Sequence, residues 1–470
     1  MKKFWNTYTK IDSRLSSYTP LQEFPEIKSF LYNRDLEKKY KLEDFDKKIT
    51  NFLRWNKDED FSVFSEAYAG HQFGHFNILW DWRAHMLWEF EYKNGIYDLQ
   101  LKWSWITNYS RWWDGKANLS SMLREYIISG AMRNLWIPTS KSLWVFTTWE
   151  EIFRNWDMKW AILVRIAKSH IRVWTFEYVS YLQDKELLKK FTEYNIKRHY
   201  PYIKDNKAKY INFIKEVWNK QIELVINWLR LWFIHGVMNT DNTFISWETI
   251  DYWPCAFINE YNPNRVYSSI DMEWRYSYIN QLNIVIWNLT RFIETLIPLL
   301  WESTENSIDI AKEIIISFKQ KAKNDYFSML HKKLWIENEN IESNEIVKNF
   351  LKILEKEKLD YTNTFISLEK FLENNDYSDE NIEVLKKWII LWIPLINNKD
   401  ESIKIMQKTN PKIIPRNHLV EKAINETVNW NMDFLNSFLE VLKTPYKNSE
   451  NNIFTKTDPN DLTHETFCGT

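Results

Sequence analysis

Asn239-Thr240-Asp241-Asn242 and, a short way on, Asp251-Tyr252-Trp253 supply the residue types that metal-assisted transfer chemistry uses. A carboxylate and an amide oxygen are hard donors that suit Mg²⁺. A strand–turn–strand between positions 242 and 251 would bring Asn242 and Asp251 together as metal ligands. Asp241 would then stand beside the metal and could take a proton from a hydroxyl. The plainer alternative is that these Asp and Asn residues only build turns.

Further cations lie upstream. Lys102 ends an apolar run and Glu125 lies on the following helical stretch. A strand lysine fixed by a helix glutamate is how protein kinases hold the cation that touches ATP phosphates, with a loop Asp as base and Asn and Asp on the metals. An exposed salt bridge, worth little, is the alternative. Arg83 follows Trp80-Asp81-Trp82, Arg165 lies near the end of the run AILVRIA, and Arg172 closes Ser169-His170-Ile171-Arg172. Arginine forks clamp phosphate oxygens, although each alone also reads as a surface cation.

These residues need elements to position them. Residues 1–60 read as an N-terminal extension, broken by Pro20 and Pro25. Residues 61–175 favour strands, with runs 86–92 and 96–102 around Asn94-Gly95, a strong hairpin signal. Residues 118–134 carry helical spacing of Leu119, Met122, Leu123, Tyr126 and Ile127. Residues 176–445 read as helical, interrupted by a loop over 235–242 and two short strands, TFIS and ETIDY. Residues 446–470 form a polar tail. A β-rich N-lobe followed by a helical C-lobe with a catalytic-type loop near its start is an α+β order, the one a bilobal protein-kinase-like fold would show.

Composition narrows the class. Net charge is −1, so nothing pulls the chain toward nucleic acid or a membrane surface. No run is long and apolar enough for a membrane-spanning helix, and the N-terminus lacks the apolar core of a signal peptide. Two cysteines, Cys255 and Cys468, suit a reducing cytoplasm rather than a disulfide framework. One feature is abnormal: 27 Trp against 7 Gly, together about 7% of the chain, the share glycine alone usually takes. Leu135-Trp136-Ile137-Pro138 places Trp where a helix should stop, a glycine position. The simplest reading is a UGA codon that means glycine in the source and is rendered here as tryptophan. Trp228 and Trp287, inside the helical runs VINWLRL and VIWNLTRF, are then genuine, because glycine there would weaken a helix. The alternative is a Trp-rich protein that stacks sugars or single-stranded nucleic acid on its indoles.

Five stretches occur in one order: Tyr68-Ala69-Gly70-His71-Gln72-Phe73-Gly74, Lys102-Trp103-Ser104-Trp105, Ser110-Arg111-Trp112-Trp113-Asp114-Gly115, Ser169-His170-Ile171-Arg172-Val173-Trp174, and His235-Gly236-Val237-Met238-Asn239-Thr240-Asp241-Asn242. Together they resemble the selenoprotein O family along nearly the whole chain. The resemblance marks Trp80, Trp82, Trp103, Trp105, Trp113, Trp136, Trp174, Trp232 and Trp253 as family glycines. It implies a kinase-like fold that binds ATP in a flipped orientation and transfers AMP to Ser, Thr or Tyr hydroxyls of proteins; some bacterial members use UTP with Mn²⁺. By motif, Asp241 would be the general base, and Asn242 and Asp251 the ligands of Mg²⁺ or Mn²⁺. Trp80, Trp82, Arg83, Lys102, Asp114, Gly115, Arg165, Arg172 and Asp251 would contact the nucleotide, with Glu125 holding Lys102. The indoles at Trp80, Trp82, Trp103, Trp105 and Trp253 would crowd that site. The family often carries selenocysteine near its C-terminus, where this chain has Cys468. A reversible Cys255–Cys468 disulfide is one hypothesis; two unrelated thiols is the other.

Two other enzyme-like readings share these residues. One is a kinase-type phosphotransferase moving the γ-phosphate, although the chain has no His-Arg-Asp loop and no Gly-x-Gly-x-x-Gly loop, even with glycines restored. The other is a nucleotide-binding pseudoenzyme.

Overall fold

The computed structural model describes residues 4–55, 63–72, 74–78, 83–93, 95–110, 114–153, 157–448, 452–458 and 464–466. The first third of the chain is built on strands. They are β1 (Phe4–Trp5), β2 (Ser16–Tyr18), β3 (Lys28–Tyr32), β4 (Phe64–Glu66), β5 (Gly70–Gln72), β6 (His75–Asn77), β7 (Ala84–Tyr92), β8 (Gly95–Lys102), β9 (Lys141–Phe153) and β10 (Asp157–Ala167). Helices α1 (Arg34–Tyr40), α2 (Phe45–Trp55) and α3 (Leu119–Asn134) interrupt them. The main sheet runs β2-β4-β7-β8-β10-β9-β3, with β1 paired to β7 and β5–β6 standing apart as their own two-stranded sheet. The hairpin expected around Asn94-Gly95 is β7–β8, closing on Tyr92↔Gly95; Asn94 itself lies outside the described residues.

Side-chain alternation gives the sheet two faces. Along β10, Ala161 and Leu163 join the core that contains Met122 and Leu123 of α3. Ile162, Val164 and Ile166 join the opposite core with Leu36 of α1 and Ile49 and Phe52 of α2. Residues 4–55 are therefore part of the sheet and its cover, since β2 pairs with β4 and β3 with β9.

The rest of the chain is helical: α4 (Val173–Tyr181), α5 (Lys185–His199), α6 (Lys209–Arg230), α7 (Gln281–Leu300), α8 (Thr304–Leu334), α9 (Ile341–Lys356), α10 (Tyr361–Asn374), α11 (Glu380–Trp392), α12 (Lys399–Thr409), α13 (Asn417–Val428) and α14 (Asp433–Val441). Its only named strands among the described residues are the short pair β11 (Phe233–Ile234) and β12 (Ala256–Phe257). This differs from the strand–turn–strand expected at TFIS and ETIDY. Those segments are satisfied by distant partners instead of each other. Val173 N–H bonds the Thr243 carbonyl, Ile245 N–H the Ile171 carbonyl, and Thr249 N–H the Pro138 carbonyl. The pairing that closes the loop lies outside it, at β11–β12.

The tryptophans sit in an unusual conformation. Among the described non-glycine residues with positive φ are Trp103, Trp105, Trp136, Trp232, Trp247, Trp274, Trp335 and Trp430. Left-handed backbone costs an L-residue roughly 1–2 kcal/mol, and bulky side chains seldom adopt it. Trp136, Trp335 and Trp430 each end a helix in the double-bonded motif that glycine usually closes. Ile137 N–H reaches Met132, Ile336 N–H reaches His331, and Asn431 N–H reaches Glu426. Trp228 and Trp287, by contrast, lie inside α6 and α7.

Candidate active site

Four elements deliver the charged centre. β8 ends on Lys102, α3 carries Glu125, β10 carries Arg165, and the turn before β12 carries Asp251. α3 is started by Asn118, whose side chain accepts from Ser121 N–H at 2.8 Å. Glu125 then sits one helical face inward, buried, 3.5 Å from Lys102 Nζ and 3.5 Å from Arg165 Nη1. It also accepts from Tyr252 N–H at 3.1 Å, so α3 grips the segment next to Asp251. Asp251, at φ 60°, is the hub. Lys102 Nζ donates to it directly, Arg165 Nη1 lies at 3.0 Å, and Arg83 Nη2 at 3.6 Å.

The electrostatics follow from this crowding. Burial works to raise Asp251, but Lys102, Arg165 and Arg83 overcome it and hold the carboxyl well below the usual range. Burial pushes Lys102 below the usual ammonium value, while Asp251 and Glu125 pull it back. Asp241 is different. Burial lifts it to about 6 against the pull of Arg172 and Arg83, with Asp251 adding to the rise. One of its oxygens, Oδ1, is buried with no hydrogen-bond partner.

The loop that carries Asp241 is tightly built. Gly236 has φ 85°, and a Cβ there would run into the Pro254 carbonyl. His235 Nε2 donates to the Ile250 carbonyl at 2.7 Å, so its Nδ1 is an acceptor, facing Val237 N–H at 3.4 Å. The Asn242 side-chain amide donates to the Val237 carbonyl at 2.9 Å, which leaves Oδ1 as its donor atom for a cation. Among the described residues no three His, Cys, Asp or Glu side chains gather as a metal cage. An ionised Asp251 and the Asn242 oxygen fit Mg²⁺, which commonly takes one or two protein ligands and completes its shell with water and substrate phosphates.

The other expected residues fall as follows. Arg172 precedes α4, its guanidinium 4.6 Å from the Tyr68 ring centre, and it acts electrostatically on Asp241. Gly115 (φ 65°) packs against the backbone of Trp105 and Ile106. Asp114 accepts from Lys116 N–H at 3.0 Å. Trp80 and Trp82 lie outside the described residues, as do Trp113 and Cys468. Cys255 is buried and its thiol donates to the Tyr252 carbonyl at 2.9 Å; burial pushes that thiol up. Two residues before Cys468, Thr466 donates to the Pro254 carbonyl at 2.7 Å. Of the five indoles expected to crowd the site, Trp103 and Trp253 stack on each other at 5.0 Å between ring centres, with Arg83 over one ring and Lys102 over the other, and Trp105 stacks on Trp160.

Sequence reasoning gave no role to Gln72, His71 or Thr240. Gln72 Nε2 lies 3.5 Å from Asp241 Oδ2, and the Thr240 hydroxyl is bonded to the His71 backbone. These partners are far apart in the chain, so no local pattern signals them.

A half-buried carboxylate with one unpartnered oxygen, in the field of a carboxylate ringed by three cations, is an arrangement suited to phosphate-ester chemistry. The chain belongs to the protein adenylyltransferase SelO family, whose model matches residues 2–443. It is similar to the protein nucleotidyltransferase YdiU of Clostridium perfringens strain SM101, 45% identical over 416 residues, covering 86% of this chain and 84% of that one. It is also similar to YdiU of Nitrosococcus oceani, 42% identical over 492 residues, covering 99% and 97%, and of Pelagibacter ubique, 41% identical over 464 residues, covering 95% and 94%. The protein is a protein nucleotidyltransferase.

Proposed function

We propose that the protein transfers AMP from ATP, or UMP from UTP, to Ser, Thr or Tyr hydroxyls of other proteins, on a bilobal kinase-like fold in the cytoplasm. The observation that carries this reading is half-buried Asp241, whose Oδ1 is buried without a partner, in the electrostatic field of Arg83 and of Asp251, the latter ringed by Lys102, Arg165 and Arg83. Asp241 takes the proton of the acceptor hydroxyl. The hydroxyl oxygen bonds to the α-phosphorus, the bond to the bridging oxygen of the β-phosphate breaks, and pyrophosphate leaves. Lys102, Arg83, Arg165 and Arg172 hold the phosphate oxygens and offset the charge that develops on the leaving pyrophosphate. Asp114 and Gly115 contact the nucleotide, as Trp80 and Trp82 would as glycines. Asn242 and Asp251 hold Mg²⁺ or Mn²⁺, which when bound neutralises phosphate charge. Glu125 keeps Lys102 in place.

Labelled ATP tests this. The full-length chain with Trp→Gly at every Trp except Trp228 and Trp287 is incubated with Mg²⁺ or Mn²⁺ and an acceptor protein, once with α-label and once with γ-label. Label from the α-position should reach protein and be lost in Asp251→Ala and Asp241→Asn. Label from the γ-position reaching protein would make the enzyme a phosphotransferase instead. The two cysteines add a redox element to this reading: Cys255 and Cys468 form a reversible disulfide when a small disulfide oxidant accepts the two electrons. A Cys255–Cys468 peptide should appear in digests of oxidised protein and vanish on reduction; without it the redox role fails.

A further inference from the structure

The β5–β6 hairpin belongs to the strand-rich half by sequence but not by contact. It lies between β4 and β7 in the chain yet pairs with neither, forming its own sheet with register Gly70↔Asn77, His71↔Phe76 and Gln72↔His75. Its anchors are on the helical half. The Thr240 hydroxyl accepts from His71 N–H at 3.1 Å and donates to the His71 carbonyl at 3.2 Å. The His71 ring bonds Glu177 on α4 and meets Trp287 of α7 edge-on at 5.3 Å. Successive strand residues point to opposite sides. With His71 committed to α4 and α7, Gln72 faces the other way, where its amide nitrogen reaches Asp241 Oδ2 at 3.5 Å.

We propose that Gln72 is the acceptor-side positioning residue of the enzyme: its amide holds Oδ2 of Asp241 so that Oδ1 is left aimed at the acceptor hydroxyl. This rests on Asp241 being the base. Three features support it. A carboxylate oxygen tied by a neutral donor stops the side chain from turning, which keeps the other oxygen in register. Oδ1 is the buried oxygen without a partner. The mechanical attachment of the hairpin is supplied by Thr240, Glu177 and Trp287, so Gln72 is not needed for it. The length of the Gln72 bond is ordinary for a catalytic contact before substrate arrives.

The test uses the full-length chain with Trp→Gly at every Trp except Trp228 and Trp287. Gln72→Ala should lower kcat for transfer to protein about 10- to 100-fold, leave the KM for nucleotide within about twofold, and leave the unfolding midpoint unchanged. Gln72→Glu, which sets a second carboxylate against Asp241, should lose more than Gln72→Ala. Added to Asp241→Asn, Gln72→Ala should cost nothing further, because the residue acts through Asp241. Full kcat in Gln72→Ala, a raised nucleotide KM with kcat intact, or an equal further loss in the double variant would each overturn the proposal. The base assignment is judged separately, on Asp241→Asn alone: full transfer there removes the base, whereas loss there with a silent Gln72→Ala removes only the positioning role.

Discussion

Trp274 offers the cleanest view of what the indoles do to this chain. It is 69% exposed, so little packing is lost with it, and its φ of 55° is a conformation that glycine takes without cost. Trp274→Gly should therefore stabilise the protein by about 1 kcal/mol, read as a higher denaturant midpoint at unchanged slope. Trp136→Gly should gain less, because the indole stacks on Tyr446 at 4.4 Å. Destabilisation in Trp274→Gly would count against the glycine reading of the composition. At the catalytic centre the same substitution changes function. Trp103 and Trp253 fill the space beside Lys102, and Trp103 is held at φ 61°. The Trp103→Gly/Trp253→Gly protein should bind ATP at least about tenfold more tightly by calorimetry, a change of about 1.4 kcal/mol. Equal affinity would mean that the nucleotide sits elsewhere.

Elements with local signals could be read from sequence, and those held by distant partners could not. The β7–β8 hairpin is announced by Asn94-Gly95, and α3 by its apolar spacing. The loop 235–242 and the helical run after it are legible for the same reason. TFIS and ETIDY carry β-branched residues and are buried, so they resemble strands; only long-range bonds to Ile171, Val173 and Pro138 show that they are not paired with each other. The site follows this division. Lys102, Glu125, Arg165, Asp241 and Asp251 were visible as types at suitable spacing, whereas Gln72 has a role only because the hairpin folds onto Thr240. α3 makes the connection between element and site testable. Asn118 is its cap, and Asn118→Ala should cost about 1 kcal/mol of stability. Since α3 carries Glu125 against Lys102 and Tyr252, transfer activity should fall along with it. Activity at the original level, with stability reduced, would show that the grip of Glu125 does not depend on the start of the helix.

On the scale of the whole molecule, the strand-rich and helical parts are fastened by a buried charge cluster away from the catalytic centre. Arg198 of α5 bonds Glu89 of β7 at 2.6 Å and Asp98 of β8. Tyr194 adds its hydroxyl to Arg198, and His170 donates its backbone N–H to Asp98 at 2.9 Å. Removing one member of such a cluster leaves the others charged and buried, so Arg198→Ala should cost about 3 to 5 kcal/mol at neutral pH. The loss should also depend on pH in a defined direction. Burial works to raise Asp98, but Arg198 and His170 hold it down at about 2, below its ordinary 3.8. A depressed carboxyl contributes stability above its unfolded pKa and loses it as pH falls through the folded one. The gap between the parent and Arg198→Ala should therefore be full above about pH 4 and shrink toward pH 2. Four buried histidines, His85, His170, His199 and His235, are all held below their ordinary value by burial and make the parent itself sensitive at a higher pH. Burial lowers His170 to about 4 and His85 to about 3, from 6.5, so the unfolded chain takes up protons that the folded chain refuses. Stability should begin to fall as pH drops below about 6.5. Thermal unfolding followed from pH 7 to pH 3 separates the two contributions. The histidine slope should appear first, weakened in Arg198→Ala because the Arg198 charge helps burial lower the adjacent His199, while the carboxylate slope appears below pH 4 and is larger where Arg198 is present. A variant gap that stays constant down to pH 2 would mean that Asp98 does not depend on Arg198 for its charge.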